Sequence, residues 1–107
     1  MEATEMLLVW CSVANDSEAQ RLAETVVNER LAACVHLFPS GRSIYLWQGA
    51  LHHDAEVMLL IKTQRALYPL LEQRLRELHT YQVPEILAVG VEQGLPAYLA
   101  WVADTIP

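Results

Sequence analysis

Residues 43–63, SIYLWQGALHHDAEVMLLIKT, place two apolar arms around a polar centre, and the rest of the chain is read outward from them. In the first arm Tyr45 and Trp47 point one way and Ile44 and Leu46 the other, because successive side chains of a strand alternate. In the return arm Val57, Leu59 and Ile61 share one face and Met58, Leu60 and Lys62 the other. Gln48-Gly49 and the polar run His52-His53-Asp54 together supply the turn region at the hairpin tip. Both faces of this ribbon are apolar, so it needs cover on two sides.

Upstream, residues 6–12 form a continuous apolar run with the signature of a central strand buried on both faces. Asn15 and Glu18 have capping-box spacing, which predicts a helix whose stripe is Ala19, Leu22, Ala23, Val26 and Val27. Residues 34–38 start the next strand, and Pro39-Ser40-Gly41 predicts a bend or bulge before it resumes at Ser43. Downstream, a second helix is predicted over 66–78, with Leu67, Leu70, Leu71, Leu75 and Leu78 as its stripe, Pro69 in its first turn and a favourable Glu72 to Arg76 pair. Residues 85–91 are the fourth strand, and Pro96 opens a short terminal helix.

The order β-α-β-β-α-β plus a terminal helix predicts an α+β fold, the ferredoxin-like sandwich, as a single domain over residues 1–107. Helices then cover one sheet face. The other presents side chains from four apolar strands, and soluble monomers rarely leave more than roughly 300–600 Å² of contiguous apolar surface wet. A hydrophobic fraction of 53% against 19% charged residues agrees with a closed oligomer built on that open face.

A formal charge of -6 with only 7 Lys plus Arg argues against nucleic acid and anionic membranes, both of which are gripped by clustered cations. The acidic start Met1-Glu2-Ala3-Thr4-Glu5 differs from a basic secretory leader, and Cys11 and Cys34 make no disulfide framework, so the expected setting is a reducing cytoplasm.

Six motifs carry a resemblance across nearly the whole chain: Arg30-Leu31-Ala32-Ala33-Cys34-Val35, Ser43-Ile44-Tyr45-Leu46-Trp47-Gln48-Gly49, Glu56-Val57, Ile61-Lys62-Thr63, His79-Thr80-Tyr81-Gln82-Val83-Pro84-Glu85-Ile86, and Tyr98-Leu99-x-Trp101. In that order they resemble the CutA divalent-cation tolerance family. The resemblance implies a ferredoxin-like protomer in a homotrimer, with the long hairpin packed on neighbouring subunits, and a link to tolerance of copper and other divalent ions. The family's architecture is also similar to that of trimeric PII signalling proteins. The chain departs from the family's usual pattern at Asn15-Asp16, His36 and Thr80, and Leu78 stands where some members have a second His. Without that imidazole, copper binding is expected to be weak.

The resemblance makes Cys11 and His79 the candidate metal ligands, a thiolate and an imidazole suited to copper(II) or another divalent cation. Cys11 reads first as a small buried hydrophobe of a central strand and second as a ligand, and His79 reads equally as a cap on the helix before it. His52, His53, Asp54 and Glu56 read as a solvated tip, because adjacent strand residues face apart and chelate together only where the tip is irregular. Lys62, Tyr81 and Glu85 are expected to converge at a cleft between subunits, as an ion pair fixing the loop or as acid and base groups. Trp47 and Trp101 read as packing anchors. The expected function is a non-enzymatic trimeric tolerance protein that binds divalent metal weakly. The alternative is a PII-like sensor with a small molecule between its subunits.

Overall fold

The structure, a computed structural model, describes residues 1–107. Strand β1 (Met6–Val13) leads through helix α1 (Asp16–Asn28) to β2 (Cys34–Trp47), which turns into β3 (Ala50–Gln64). Helix α2 (Tyr68–Leu78), strand β4 (Ile86–Gly90) and helix α3 (Pro96–Thr105) follow. The sheet order is β2-β3-β1-β4 with every neighbouring pair antiparallel, so β1/β2 and β3/β4 are two interleaved parallel βαβ units, the ferredoxin-like arrangement.

Local chemistry explains the element ends. Asn15 Oδ1 accepts the Glu18 N–H at 2.9 Å, so the predicted cap forms and satisfies an orphan donor of α1. Pro69 sits in the first turn of α2, where its missing N–H removes no helix bond. The predicted Glu72–Arg76 pair is absent: Glu72 accepts the Tyr68 hydroxyl, and the neighbouring Arg74 reaches across to Glu29, the residue just past the end of α1, at 2.8 Å.

The helix-facing side of the sheet holds the main core, with Val9, Cys11, Leu59 and Ile61 fully buried against Leu22 and Val26 of α1 and Leu71 and Leu75 of α2. The opposite face is laid out in cross-strand rows, His36–Leu60–Trp10–Leu87 and Cys34–Lys62–Leu8–Val89. Helix α3 closes one end of this face, packing Leu99, Val102 and Ile106 on Met6, while Leu87 remains 60% exposed.

The β2–β3 hairpin projects beyond the body, giving overall extents of 45 × 26 × 24 Å. At its root Phe38 pairs with Met58 and Gly41 with Glu56, so β2 carries one extra residue, the predicted bulge. A Cβ at Gly41 would lie 2.9 Å from the Glu56 carbonyl oxygen, which is why glycine stands there. At the tip Gln48 and Gly49 have φ of 51° and 81°, the two positive values of a two-residue type I′ turn.

His52, His53 and Asp54 are therefore strand residues of β3, not part of the tip. A turn closed by two residues leaves none for them, and a ribbon open to water tolerates polar side chains anywhere along it. His52 stacks on Tyr45 with ring centroids 5.4 Å apart, and His53 lies on the other face opposite Ile44.

Candidate functional site

Three segments meet at the root of the hairpin: the end of β1, the first half of the ribbon, and the loop between α2 and β4. They enclose a cleft of about 530 Å³. From the ribbon, Ser43, Tyr45, Asp54 and Glu56 share one face, as the register Ser43↔Asp54 and Gly41↔Glu56 requires. Ser12 comes from β1, and Tyr81 and Glu85 from the loop.

The Glu56 carboxylate ties the ribbon to the loop. Ser43 donates its hydroxyl to one oxygen, and the Tyr81 hydroxyl donates to the other at 2.6 Å. Beside it, the Tyr45 hydroxyl donates to Asp54. Burial, the bond to Glu56 and the charges of Glu56 and Asp54 push the Tyr81 phenol well above its usual range. The bond to Asp54 raises Tyr45 in the same direction. Both phenols are thus proton donors and are not poised as bases.

His79, at the end of α2, fixes the loop from within. Its Nε2–H donates to the Ser12 carbonyl at 2.7 Å, and its Nδ1 accepts the Tyr81 N–H at 3.0 Å. A carbonyl can only accept and an amide N–H only donate, so these partners select the neutral Nε2–H tautomer. Cys11, one residue before Ser12, is fully buried, and burial with the nearby charges of Glu85 and Glu56 pushes its thiol up to about 12.

These surroundings do not suit a resident metal. A ligating thiol must be deprotonated, and both His79 ring nitrogens are already engaged. No group of three or more His, Cys, Asp or Glu side chains is arranged to hold an ion.

Of the three cleft residues expected from sequence, the fold brings two together. Tyr81 and Glu85 line the cleft, whereas Lys62 lies farther along the sheet, its Nζ 3.9 Å from Cys34 Sγ and 5.8 Å from the centre of the Tyr98 ring. Strands β3 and β4 run in the same direction, so the start of β4 aligns with the Met58 region of β3, where Met58 faces Ser12, and not with Lys62, which faces Leu8. Four residues of strand, roughly 13 Å, separate those rows. Within one chain no Glu85–Lys62 ion pair forms.

Trp47 and Trp101 are 42% and 45% exposed, so neither anchors packing inside the subunit. Sequence reasoning missed Ser12, Ser43 and Tyr45 as lining residues and assigned Asp54 and Glu56 to a solvated tip. The available signal was the strand alternation that sets Ser43, Tyr45 and Trp47 on one face.

The CutA1 divalent ion tolerance protein family matches residues 7–105 of this chain. The divalent-cation tolerance protein CutA of Thermus thermophilus is 41% identical over 97 residues, covering 91% of this chain and 94% of that protein. Protein CutA of Mus musculus is 49% identical over 88 residues, and there the chain spans 50% of the relative's length. Among solved structures, CutA from Xylella fastidiosa aligns with a TM-score of 0.94 at 38% identity, covering 96% of this chain and 99% of that one. The Thermus thermophilus structure aligns with a TM-score of 0.92 at 39% identity, covering 95% and 99%. A family match over this span, with the same strand order and helices underneath it, places the chain in the CutA1 divalent ion tolerance protein family.

Proposed function

We propose that this chain acts as a homotrimer in divalent-cation tolerance, capturing copper(II) or another divalent cation weakly and catalysing no reaction. The observation that carries the assembly is the apolar surface left wet by one subunit: Phe38, Leu87 and Val89 on the open face, and Ile44, Leu46, Leu51 and Trp47 on both sides of the ribbon. A second and third copy laid on the open face and along the hairpin cover both. In such an assembly Lys62 of one subunit is free to meet Tyr81 and Glu85 of the next, the cleft expected between subunits.

The family supplies the link to divalent cations, and Cys11 and His79 match its proposed ligands. A buried thiol held up to about 12 and an imidazole with both nitrogens engaged favour weak capture, because binding must displace a proton and a hydrogen bond. The two phenols of the cleft, held as donors to carboxylates, offer no base for a reaction there. A cytoplasmic setting is supported by the two free cysteines, and no helix is long and apolar enough to cross a membrane. Relatives carry names that place them elsewhere, chloroplastic in Oryza sativa and periplasmic in Archaeoglobus fulgidus, so compartment is a property of each chain.

Sedimentation with and without copper, joined to copper calorimetry on the native protein and a Cys11→Ala/His79→Ala double variant, tests this reading. A trimer at micromolar concentration with a weaker titration in the double variant is expected. A single subunit in solution removes the assembly, and equal titrations remove the two ligands.

The cleft of about 530 Å³ favours a second reading, a PII-like sensor that takes a small molecule beside the hairpin. Thermal stabilisation by a metabolite is its expected sign.

A further inference from the structure

We propose that Tyr81 is a positioning residue for self-association: by donating its hydroxyl to Glu56, it makes the loop after α2, residues 79–85, a brace that fixes the angle at which the ribbon leaves the body. This rests on the reading of the chain as a homotrimer and adds what holds the ribbon in the orientation that a neighbouring copy meets.

The ribbon has a hinge at its root. Two residues of β2, Pro39 and Ser40, stand opposite the single Val57, between the pairs Phe38↔Met58 and Gly41↔Glu56. Pro39 has no N–H to give the ladder and Ser40 has a φ of 62°, so pairing is interrupted where the ribbon starts. Beyond that point the ribbon stands free, with the cleft on one side and exposed Leu46 and Leu51 on the other. The one side-chain hydrogen bond from residues 42–56 to the rest of the subunit is the 2.6 Å bond that Glu56 accepts from Tyr81. Ser43 donates to the same carboxylate, so both strands of the ribbon are tied to it.

The loop is pinned to the body. Arg21 of α1 donates to the Leu78 carbonyl at 2.7 Å, and the Thr80 hydroxyl donates to Glu18 of α1 at 3.0 Å. His79 donates to the Ser12 carbonyl of β1 and accepts the Tyr81 N–H, with the two ring centroids 4.6 Å apart. Tyr81 thus presents its phenol from a fixed point, and Glu56 receives it beside the hinge. From Gly41 to Trp47 the ribbon spans roughly 20 Å, so a turn of about 10° at the root carries the tip roughly 3–4 Å. A gap of about 1 Å already forfeits up to half of an apolar contact's attraction, so the angle decides whether the ribbon fits its neighbour.

Sedimentation equilibrium on the native protein, Tyr81→Phe, Thr80→Val and the double variant tests the inference. Each single variant loses one hydroxyl, and an unchanged circular dichroism spectrum shows that the subunit is folded. Tyr81→Phe is expected to weaken association about three- to tenfold per interface, as the fraction of subunits with the ribbon at the competent angle falls. Thr80 meets α1 on the helix side, away from the ribbon and the open face, so its effect on association travels through the loop. Thr80→Val is expected to weaken association about twofold, and to have no further effect once Tyr81→Phe has cut the link, a non-additivity that independent contacts with a neighbour do not produce. Association equal to native in either single variant, or additive losses in the double variant, overturns the proposal while the native trimer stands. If the native protein sediments as a single subunit, the assembly reading falls, and energy transfer between dyes at Gln20→Cys on α1 and Ala50→Cys at the tip, on a Cys34→Ser background, decides the brace. A narrow distance distribution that broadens with Tyr81→Phe upholds it, and equal widths overturn it.

Discussion

Leu51 and Leu59 lie on the same face of the same strand, eight residues apart, yet one is 63% exposed and the other fully buried. The difference comes from what lies over them. Helices α1 and α2 cover β3 from Val57 onward, and on that face no helix or strand of the subunit lies over the ribbon beyond it. An apolar strand residue is therefore inside or outside according to its cover, and the alternating pattern alone does not say which. The body of this molecule is a finished core. The ribbon is half of an interface.

The largest effect that sharpens the contrast is Leu59→Ala. It empties a site enclosed by both helices and is expected to cost roughly 2–5 kcal/mol in urea unfolding, whereas Leu51→Ala is expected to stay within about 0.5 kcal/mol in a separated subunit. A large cost at Leu51 in the assembled protein alone would identify the ribbon's cover as another copy. Next comes Trp47→Ala, expected to weaken self-association by about 2 kcal/mol for each interface and to shift sedimentation toward smaller species. Unchanged assembly would take the ribbon out of the interface.

Tyr81→Phe removes the bond that joins loop to ribbon and is expected to cost about 1 kcal/mol near neutral pH. It also has a pH signature. The Tyr81 phenol titrates above its ordinary value of 10.0, so the folded chain holds that proton more tightly than the unfolded chain does. That stabilisation is complete below pH 10, fades as pH rises through the folded-state value, and is missing from the phenylalanine variant. Denaturation midpoints taken across the alkaline range check the sign. The smallest effect is Gly49→Ala at the tip, expected to cost about 0.5–1 kcal/mol through the positive φ of 81°, with no effect on the core.

Much of this architecture was legible in the sequence because it is written in local periods and punctuation. Alternation identified the hairpin arms, Pro39-Ser40-Gly41 identified the bulge, and the Asn15–Glu18 spacing identified the first helix. The cleft was legible only in part. Tyr81 bonds Glu56 from 25 residues away, and nothing near either residue encodes the meeting. Lys62 and Glu85 both stand at strand ends in sequence, but β3 and β4 run in the same direction, so inside one subunit the end of one strand lies far from the start of the other, and the cleft expected from them is one between subunits. The polar run at His52 looked like a turn because such runs usually mark loops, a rule that loses its force on a ribbon wet along its length.

The extra residue at Ser40 sets the parity of the whole ribbon. Before it, even-numbered side chains of β2 share a side with Met58 and Leu60; after it, odd-numbered ones do, through Ser43, Tyr45 and Trp47. Deleting Ser40 would set Pro39 opposite Val57 and leave Gly41 opposite Glu56, a regular ladder in which Ser43, Tyr45 and Trp47 keep the side of Asp54 and Glu56. A one-codon deletion there would thus take the kink out of the hairpin's root and change the angle at which the ribbon leaves the body, while its polar, aromatic wall stayed in place.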